Sequence, residues 1–442
     1  MKPPNNDIIP QGYRMTELGA LPEEWEVVRL GEYCKVFSGY AFKSDDFCNN
    51  GVLVVKIGNL QNGSIVFNTK ESFFPREKIN DDISKYILNE GDILIALTGA
   101  TTGKISLVPK SVNGALLNQR VGKFSIYNDS LYKSFVMYYV MTDEFQNHIK
   151  KNILQSAQGN ISPKQIETFS IPLPPLPEQQ KIAAVLSAVQ EAKEKTEAVI
   201  AATKALKKSM MKHLFTYGPV SPQEAENVPL KETEIGKVPE NWELISSNKV
   251  FSYITDGTHD TPEKLTNGIP LIKSKQIKNG KINKNEIDYF ISKKDYEIIN
   301  KRSKVDKYDI LFSMIGTIGE TALIIEVPDF AIKNVGLFKT NGNYELAIYT
   351  FYWLQTANAK NYIDKNTSGT SQKYIKLVKL RNYPILFPPL PIQQKIASIL
   401  SAIDEKIEAE ENKKKALEDL FKSLLHNLMT AKIRVNQLEI TS

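Results

Sequence analysis

Read from end to end, this chain repeats itself. Glu17-Leu18-Gly19-Ala20-Leu21-Pro22-Glu23-Glu24-Trp25-Glu26 returns as Glu234-Ile235-Gly236-Lys237-Val238-Pro239-Glu240-Asn241-Trp242-Glu243. The same offset, without a gap, carries Gly51 onto Gly268, Lys56 onto Lys273, Asn62-Gly63 onto Asn279-Gly280, and Asp92-Ile93-Leu94 onto Asp309-Ile310-Leu311. Pro174-Pro175-Leu176-Pro177 and Gln179-Gln180-Lys181-Ile182-Ala183 recur as Pro388-Pro389-Leu390-Pro391 and Gln393-Gln394-Lys395-Ile396-Ala397, at a slightly shorter offset. A solenoid unit runs to about 50 residues, and the repeat here is several times longer, so each copy is a whole domain with an appendage. Two like domains on one polypeptide make a pseudo-twofold molecule, suited to a two-part target or to two identical partners.

A chain of 442 residues has room for two or three domains, each with its own core. The net charge of +6 permits a nucleic-acid partner without demanding one. Cys34 and Cys48 are the only cysteines, and the second copy has no counterpart to them. That pattern argues against a disulfide framework and against a CxxC zinc site. The stretch from Met1 to Thr16 has no apolar core of a signal peptide, and no run elsewhere reaches membrane-span length. The expected location is the cytoplasm.

Within each copy, about 18–173 and 235–387, the pattern is one of strands and short helices. Gly51–Ile57 and Gly268–Lys273 are short β-branched runs that lead to Asn-Gly turn signals. Gly91–Leu97 and Tyr308–Met314 read as strands closed by the glycine loops Gly99–Gly103 and Gly316–Gly319. Tyr132–Ile149 and Leu346–Ile363 are helical in pattern. After Pro177 and Pro391 each copy ends in a proline-free stretch of about 40 residues that reads as one helix roughly 60 Å long. In the first helix Ile182, Val185, Val189, Ala192, Thr196, Val199, Thr203, Leu206 and Met210 form a heptad seam. In the second, Ile396, Ile399, Ile403, Leu417, Leu420 and Leu424 keep the same register, interrupted by Lys406, Glu410 and Lys413. The interruption and the small or polar residues of the first seam imply a strained or hydrated waist. Seven lysines against four glutamates in the first helix face six lysines against seven acids in the second, a balance that favours pairing of the two. An antiparallel pair within the chain and a coiled coil between chains both satisfy it.

Catalytic motifs are not visible. Gly99-Ala100-Thr101-Thr102-Gly103-Lys104-Ile105 is one residue short of a phosphate-binding loop and has Ile105 where Ser or Thr must hold the metal. The matching Gly316-Thr317-Ile318-Gly319-Glu320 has no lysine, so a turn beside a strand is the better reading. No Asn/Asp-Pro-Pro-Tyr/Phe loop of an adenine methylase is present. His148, His213, His259 and His426 show no metal spacing or triad context. His259, in Asp256-Gly257-Thr258-His259-Asp260-Thr261, is the one in a loop of functional character, although a solvated turn is the better account of it. Lys273, Lys275, Lys278, Lys281 and Lys284 form a run with no acid between them, and Lys373, Lys376, Lys379 and Arg381 form a second cluster. Such clusters suit phosphates, while polar loop side chains suit base edges; the plain alternative is a solvated face. The first copy has Gly58, Gln61 and Ser64 where the second has Lys275, Lys278 and Lys281. Two like frames with unlike loops should recognise two unlike things. Pro174–Pro177 fits the PxxP pattern of an SH3 ligand, but its recurrence before each long helix reads better as a rigid joint.

These motifs together resemble the specificity (S) subunits of Type I restriction–modification enzymes across essentially the full chain. Glu17–Trp25 with Glu234–Trp242, and the Pro-Pro-Leu-Pro-x-Gln-Gln-Lys-Ile-Ala segments before each long helix, carry the resemblance. It implies an α+β fold of two tandem mixed α/β target-recognition domains, each followed by a long helix, the two helices pairing as an antiparallel coiled coil. The boundaries expected are 1–173, 174–216, 217–387 and 388–442. It further implies a non-catalytic subunit with no cofactor of its own, which reads a bipartite site in double-stranded DNA and docks two modification (methyltransferase) subunits and the restriction (helicase/nuclease) subunits. S-adenosylmethionine and ATP would belong to those partners. The candidate DNA contacts are Lys43, Lys56, Thr101, Lys104, Gln119, Arg120, Gln158 and Asn160 in the first copy. In the second they are His259, Lys273, Lys275, Lys278, Lys281, Lys333, Gln372, Lys373 and Lys376. Ile392 in place of Glu178, and Ser246-Ser247-Asn248 in place of Arg29-Leu30-Gly31, depart between copies and bear on partner contacts. A coiled-coil scaffold that binds only proteins is the competing reading, and it leaves the lysine-rich loops unexplained.

Overall fold

The computed structural model describes residues 9–61, 63–67, 71–155, 159–369 and 373–435. They divide into two compact units, one made of the chain up to Thr196 together with the stretch from Lys413 onward, the other running from Glu197 to Asn412. Each unit holds one copy of the repeat and takes one half of both long helices.

In the first unit, Ile93–Ala96 lies between Ile105–Leu107 and Val121–Ile126, with Cys34–Ser38 at the far edge of this antiparallel sheet. Its residues are all buried because alternate side chains enter different cores: Ile93 and Ile95 meet Trp25 and Phe135, while Leu94 and Ala96 meet Val55 and Leu60. An unbroken apolar run is what a strand covered on both faces requires. A second sheet places Val52–Val55 between Phe73–Phe74 and the parallel strand Leu116–Leu117. Glu26–Arg29 pairs with Ser170–Leu173 and so brings the two ends of the copy together where the long helix begins.

The second unit repeats this plan. Ile310–Ser313 lies between Thr321–Leu323 and Val335–Lys339, with Tyr253–Asp256 beyond. Ile269–Lys273 lies between Phe290–Ile291 and the parallel strand Ala331–Lys333, and Glu243–Ser246 pairs with Pro384–Phe387. Asn279-Gly280 closes a hairpin with φ of 52° and 81°, as its two-residue turn demands. Asn62, of the matching turn signal, lies outside the described residues.

The helical stretch expected over Tyr132–Ile149 is two helices, Lys133–Tyr139 and Asp143–Gln155, and that over Leu346–Ile363 is Tyr344–Leu354 and Ala357–Asn366. A buried threonine makes each break. Thr142 Oγ1 accepts the Phe145 amide at 3.3 Å and Thr356 Oγ1 the Ala359 amide at 3.1 Å, each starting a new helix.

The long helices span Leu176–Tyr217 and Leu390–Met429. The first glutamine of each Gln-Gln pair ties its helix to the proline segment: Gln179 Nε2 donates to Pro174 O, and Gln393 Nε2 to Pro388 O, both at 2.8 Å. Gln179 also accepts the Tyr132 amide at 2.8 Å, so the Pro-Pro-Leu-Pro segment acts as a joint between domain and helix. Beside it, Glu178 accepts Trp25 Nε1 at 2.9 Å and Arg434 Nε at 2.7 Å, and Arg434 also reaches Glu24 at 2.7 Å. The Arg434 hydrogen bond and charge hold the Glu24 carboxyl below its ordinary pKa. In the second copy Ile392 replaces Glu178 and packs against the core that contains Trp242.

The two long helices pair with each other, antiparallel. In the second unit Lys207 meets Asp404 at 2.7 Å and Lys204 meets Glu411 at 2.6 Å; in the first, Ile182 and Leu186 share a core with Leu428 and Met429. The seam is heptad, but every second position differs from the expected one. Leu186, Ile200 and Leu214 are buried, whereas Val199 and Leu206 are 39% and 52% exposed. On the partner helix Leu400 and Ile407 are buried and Leu420 is 46% exposed. Both choices share Ile182, Val189, Thr196, Thr203 and Met210, and apolar neighbours such as Val199 and Ile200 serve either phase. Tertiary contacts decide it: Lys207 lies on the seam, paired to Asp404 with its ammonium 5.2 Å from the Tyr352 ring. With Ile407 on the seam and Lys406 off it, the interruption shrinks to Glu410 and the half-buried Lys414, and Lys406 meets the Glu410 carboxylate at 2.5 Å. Thr196, a buried polar residue on the seam of the first helix, satisfies its hydroxyl on Ala192 O at 2.8 Å.

Among the described residues no helix is long and apolar enough to cross a membrane.

The seam assignment has a direct test. Ile200→Ala should destabilise the fold by about 2–4 kcal/mol, the usual cost of deleting a buried aliphatic side chain. Val199→Ala, one position away and facing outward, should change stability by less than about 0.5 kcal/mol. Thermal and urea unfolding of the two variants checks the pair.

Candidate nucleic-acid interface

In the second unit the parallel strands Ile269–Lys273 and Ala331–Lys333 end side by side, with Lys273 opposite Lys333. The chain leaves the first through a 3-10 turn, Ser274–Gln276, and the second through Asn334, at φ 54°. Ser274 Oγ donates to Asn334 O at 2.9 Å and accepts the Met314 amide at 3.2 Å, which ties both strand ends to the Gly316–Gly319 loop. That loop in turn takes Lys373 O through the Gly316 amide at 3.1 Å, and Thr258 bridges to Lys333. Five segments distant in sequence therefore converge. Gly257 makes this possible, because a Cβ there would lie 2.3 Å from Ile332 O.

The face is cationic and held rigid. Lys333 Nζ donates to Asp260 O and Thr261 Oγ1, both at 2.6 Å. Lys273 lies over the Tyr289 ring at 4.1 Å, and Lys264 approaches the same ring at 5.8 Å. Burial lowers the pKa of Lys273, and repulsion from Lys275, Lys333 and Lys264 adds to this against the opposing pull of Asp288. An anion bound there would relieve that repulsion. Asp256, almost wholly buried, receives Arg302 and holds His259 Nε2 at 2.9 Å; His259 Nδ1 lies 2.8 Å from Asn334 Oδ1.

The rest of the lysine run is compensated by acids from elsewhere in the chain. Lys275 pairs with Asp288 at 2.8 Å, Lys278 with Glu286 at 2.8 Å, Lys281 with Glu408 of the second long helix at 3.0 Å, and Lys284 with Glu326 at 3.5 Å. Lys373 and Lys376 are exposed near the Gly316 loop. Gln372 lies outside the described residues.

The first unit builds the same frame with other chemistry. Lys56 follows Val52–Val55, and the loop Asn118–Arg120 follows Leu116–Leu117. Lys56 Nζ lies 3.8 Å from the Phe47 ring centroid and donates to Ser72 Oγ at 2.7 Å; burial lowers its pKa. Gln119 and Arg120 are exposed, the Gln119 amide donating to Tyr40 O at 2.8 Å. Tyr40 packs on Phe42 at 4.9 Å, and Phe42 on Phe74 at 5.0 Å, so aromatic packing does here what the Asp256 network does in the second unit. Lys104 Nζ reaches Gln61 Oε1 at 3.2 Å, Thr101 and Asn160 are half-buried in neighbouring loops, and Lys43 is exposed ahead of a short 3-10 turn. Gln158 lies outside the described residues. The Gly99–Thr101 turn leads into the strand Ile105–Leu107, not into the helix a phosphate-binding loop requires.

Sequence reasoning missed Asp256, Ser274, Tyr289, Arg302 and Asn334. Asp256 stands within the Asp-Gly-Thr-His-Asp segment already singled out, but nothing local pairs it with Arg302, 46 residues away.

A family model described as Type I restriction modification DNA specificity domain matches residues 22–202 and again 239–419, so that the two matches are displaced by the same interval as the repeat. The chain is similar to the Type I restriction enzyme MjaVIII specificity subunit of Methanocaldococcus jannaschii, 27% identical over 442 residues that cover 95% of each chain. It is 29% identical over 444 residues to the putative MjaX specificity subunit of the same organism, covering 96% of this chain and 97% of that one. The crystal structure of the S subunit of a Type I restriction-modification system from M. genitalium shares the fold, with a TM-score of 0.56 at 16% identity over 91% of this chain and 96% of that one.

The network at Asp256 should be worth measuring by itself. Asp256→Ala leaves Arg302 and His259 without their shared carboxylate and should lower local stability by about 1–3 kcal/mol. Amide hydrogen exchange at Gly257–Thr261 should quicken accordingly, while exchange in the first unit stays as it was.

Proposed function

The chain belongs to the Type I restriction modification DNA specificity family, and from that premise we propose that it is the subunit that recognises DNA for a Type I restriction–modification complex. One loop face on each unit reads one half of a split site in double-stranded DNA. The observation that carries this reading is the pairing of one frame with two chemistries. Both units end their parallel strands in a half-buried lysine, yet the neighbouring loops are Asn118-Gln119-Arg120 in one and Lys333-Asn334 with His259 in the other. Equal frames meet the backbone common to any duplex, and unequal loops meet unequal base edges. The exposed candidates Lys43, Gln119, Arg120, Lys373 and Lys376 belong to this role, as does the half-buried Lys104. The compensated Lys275, Lys278 and Lys281 contribute less to it.

The reading domains are 1–173 and 217–387, and 174–216 with 388–442 form the helical spacer and docking platform. Two modification subunits dock there, and restriction subunits join the complex. Methyl transfer and cleavage are supplied by those partners, so the purified chain with S-adenosylmethionine and ATP should neither methylate nor cut DNA. A scaffold for proteins alone leaves the cationic loop faces without a role.

The spacer role makes a quantitative expectation. Four residues inserted near Ala201-Ala202 and in the facing stretch of the second helix lengthen each by about 6 Å. A base pair rises about 3.4 Å, so the gap between half-sites should widen by one or two pairs. The half-sites themselves should persist, because a four-residue insertion is absorbed by local unwinding of the coil and leaves the loops untouched. Methylation motifs mapped in hosts that carry the parent and inserted systems decide the matter; altered half-sites with an unaltered gap would refute the proposal.

A further inference from the structure

One lysine occupies the same setting in both units. Lys56 and Lys273, which hold matching positions in the repeat, each leave the central strand of the three-stranded sheet and open a 3-10 turn. In each case the side chain three residues on fixes the turn by accepting the lysine's own amide, Asn59 Oδ1 at 2.9 Å and Gln276 Oε1 at 2.8 Å. Each ammonium lies over an aromatic ring delivered by a different segment, Phe47 at 3.8 Å and Tyr289 at 4.1 Å. The rings are not equivalent by the repeat: Phe47 precedes its lysine in the chain and Tyr289 follows. The same physical arrangement is thus reached from two directions. Neither ammonium forms an ion pair among the described residues, whereas Lys275, Lys278, Lys281 and Lys284 each have an acid partner.

The loop beside each lysine behaves in the opposite way. It is one residue longer in the first unit, where Asn118 occupies the bridge position that Lys333 holds in the second. Gln119 and Arg120 are exposed in the first unit; in the second His259 and Asn334 hold each other at 2.8 Å. A side chain that keeps its identity and setting while its surroundings change suits the one feature both half-sites share. In a duplex that feature is the phosphate backbone, which is the same for every sequence. An ammonium has three donors and no acceptor, and a stem restrained on a ring loses less freedom when it binds.

We infer that Lys56 and Lys273 are a matched pair of phosphate anchors, one for each half-site, which set the register in which the Gln119–Arg120 and His259–Asn334 loops meet the bases. This rests on the DNA-recognition reading above and divides the labour within it. Neither lysine discriminates sequence.

The test uses the full chain assembled with its methylation subunits and a duplex carrying the motif that the parent complex methylates. Lys56→Gln and Lys273→Gln should each weaken binding to that duplex and to unrelated duplex alike. Each should reduce the slope of log affinity against log salt by about 0.9, and the double variant by about twice that. Lys56→Arg and Lys273→Arg, which keep the charge, should restore the slope and serve where a glutamine variant fails to fold. The methylated motif should be the same in every lysine variant. Arg120→Ala should do the reverse, altering preference within one half-site. A changed motif in either lysine variant, or an unchanged slope, overturns the inference while leaving DNA recognition by the chain intact. Failure of the parent complex to select any split site overturns both.

Discussion

A helix of about 40 residues with one apolar stripe has nowhere to put that stripe except against another helix, and this constraint underlies the rest of the molecule. Isolated helices draw little stability from propensity and most from the burial of an amphipathic face. Each buried Leu or Ile on such a seam contributes about 1.5–3 kcal/mol. Here the two stripes come from one chain and run antiparallel, so each half of one helix must find the complementary half of the other. Both compact units inherit that requirement, because each contains half of both helices. Each unit therefore depends on its own half of the seam as well as on its own sheets.

The joints between domain and helix show how such a frame tolerates divergence. Gln179 and Gln393 make the same bond to a proline carbonyl, and this is what the doubled Pro-Pro-Leu-Pro-x-Gln-Gln segment is for. The residue before each glutamine is free to differ. In one joint Glu178 gathers Trp25 and Arg434 into a charged, hydrogen-bonded group; in the other Ile392 packs among apolar neighbours. Replacing a buried charged group by an apolar residue that packs well is often neutral or better, so the two joints reach the same geometry by different chemistry.

Much of the frame was legible in the residues alone. Strands such as Ile93–Ala96 and Ile310–Ser313 announced themselves because each must satisfy two cores at once. The long helices did so through the absence of proline and the recurrence of apolar residues. What the sequence did not disclose was the choice between two nearly degenerate phases of the seam, since Val199 and Ile200 are both apolar. Nor did it show that a buried Thr142 or Thr356 would cut one helical stretch into two. The candidate site was read less completely, for a related reason. A run of lysines carries no sign of the acids that fold back onto it, and Asp288, Glu286 and Glu408 arrive from other segments. Likewise the aromatic rings under Lys56 and Lys273 are assembled only by the fold.

The division of the chain into units has a consequence for its synthesis. The second unit is contiguous, from Glu197 to Asn412, but the first needs residues from Lys413 onward to complete its core, with Leu428, Met429 and Val435 buried there and Tyr13 donating to Ala431 O at 2.7 Å. Domains made on the ribosome commonly fold in the order in which they emerge. In this chain the order is inverted: the copy translated first is the one finished last, and its half-built core must wait, exposed, for the end of the second helix to leave the ribosome.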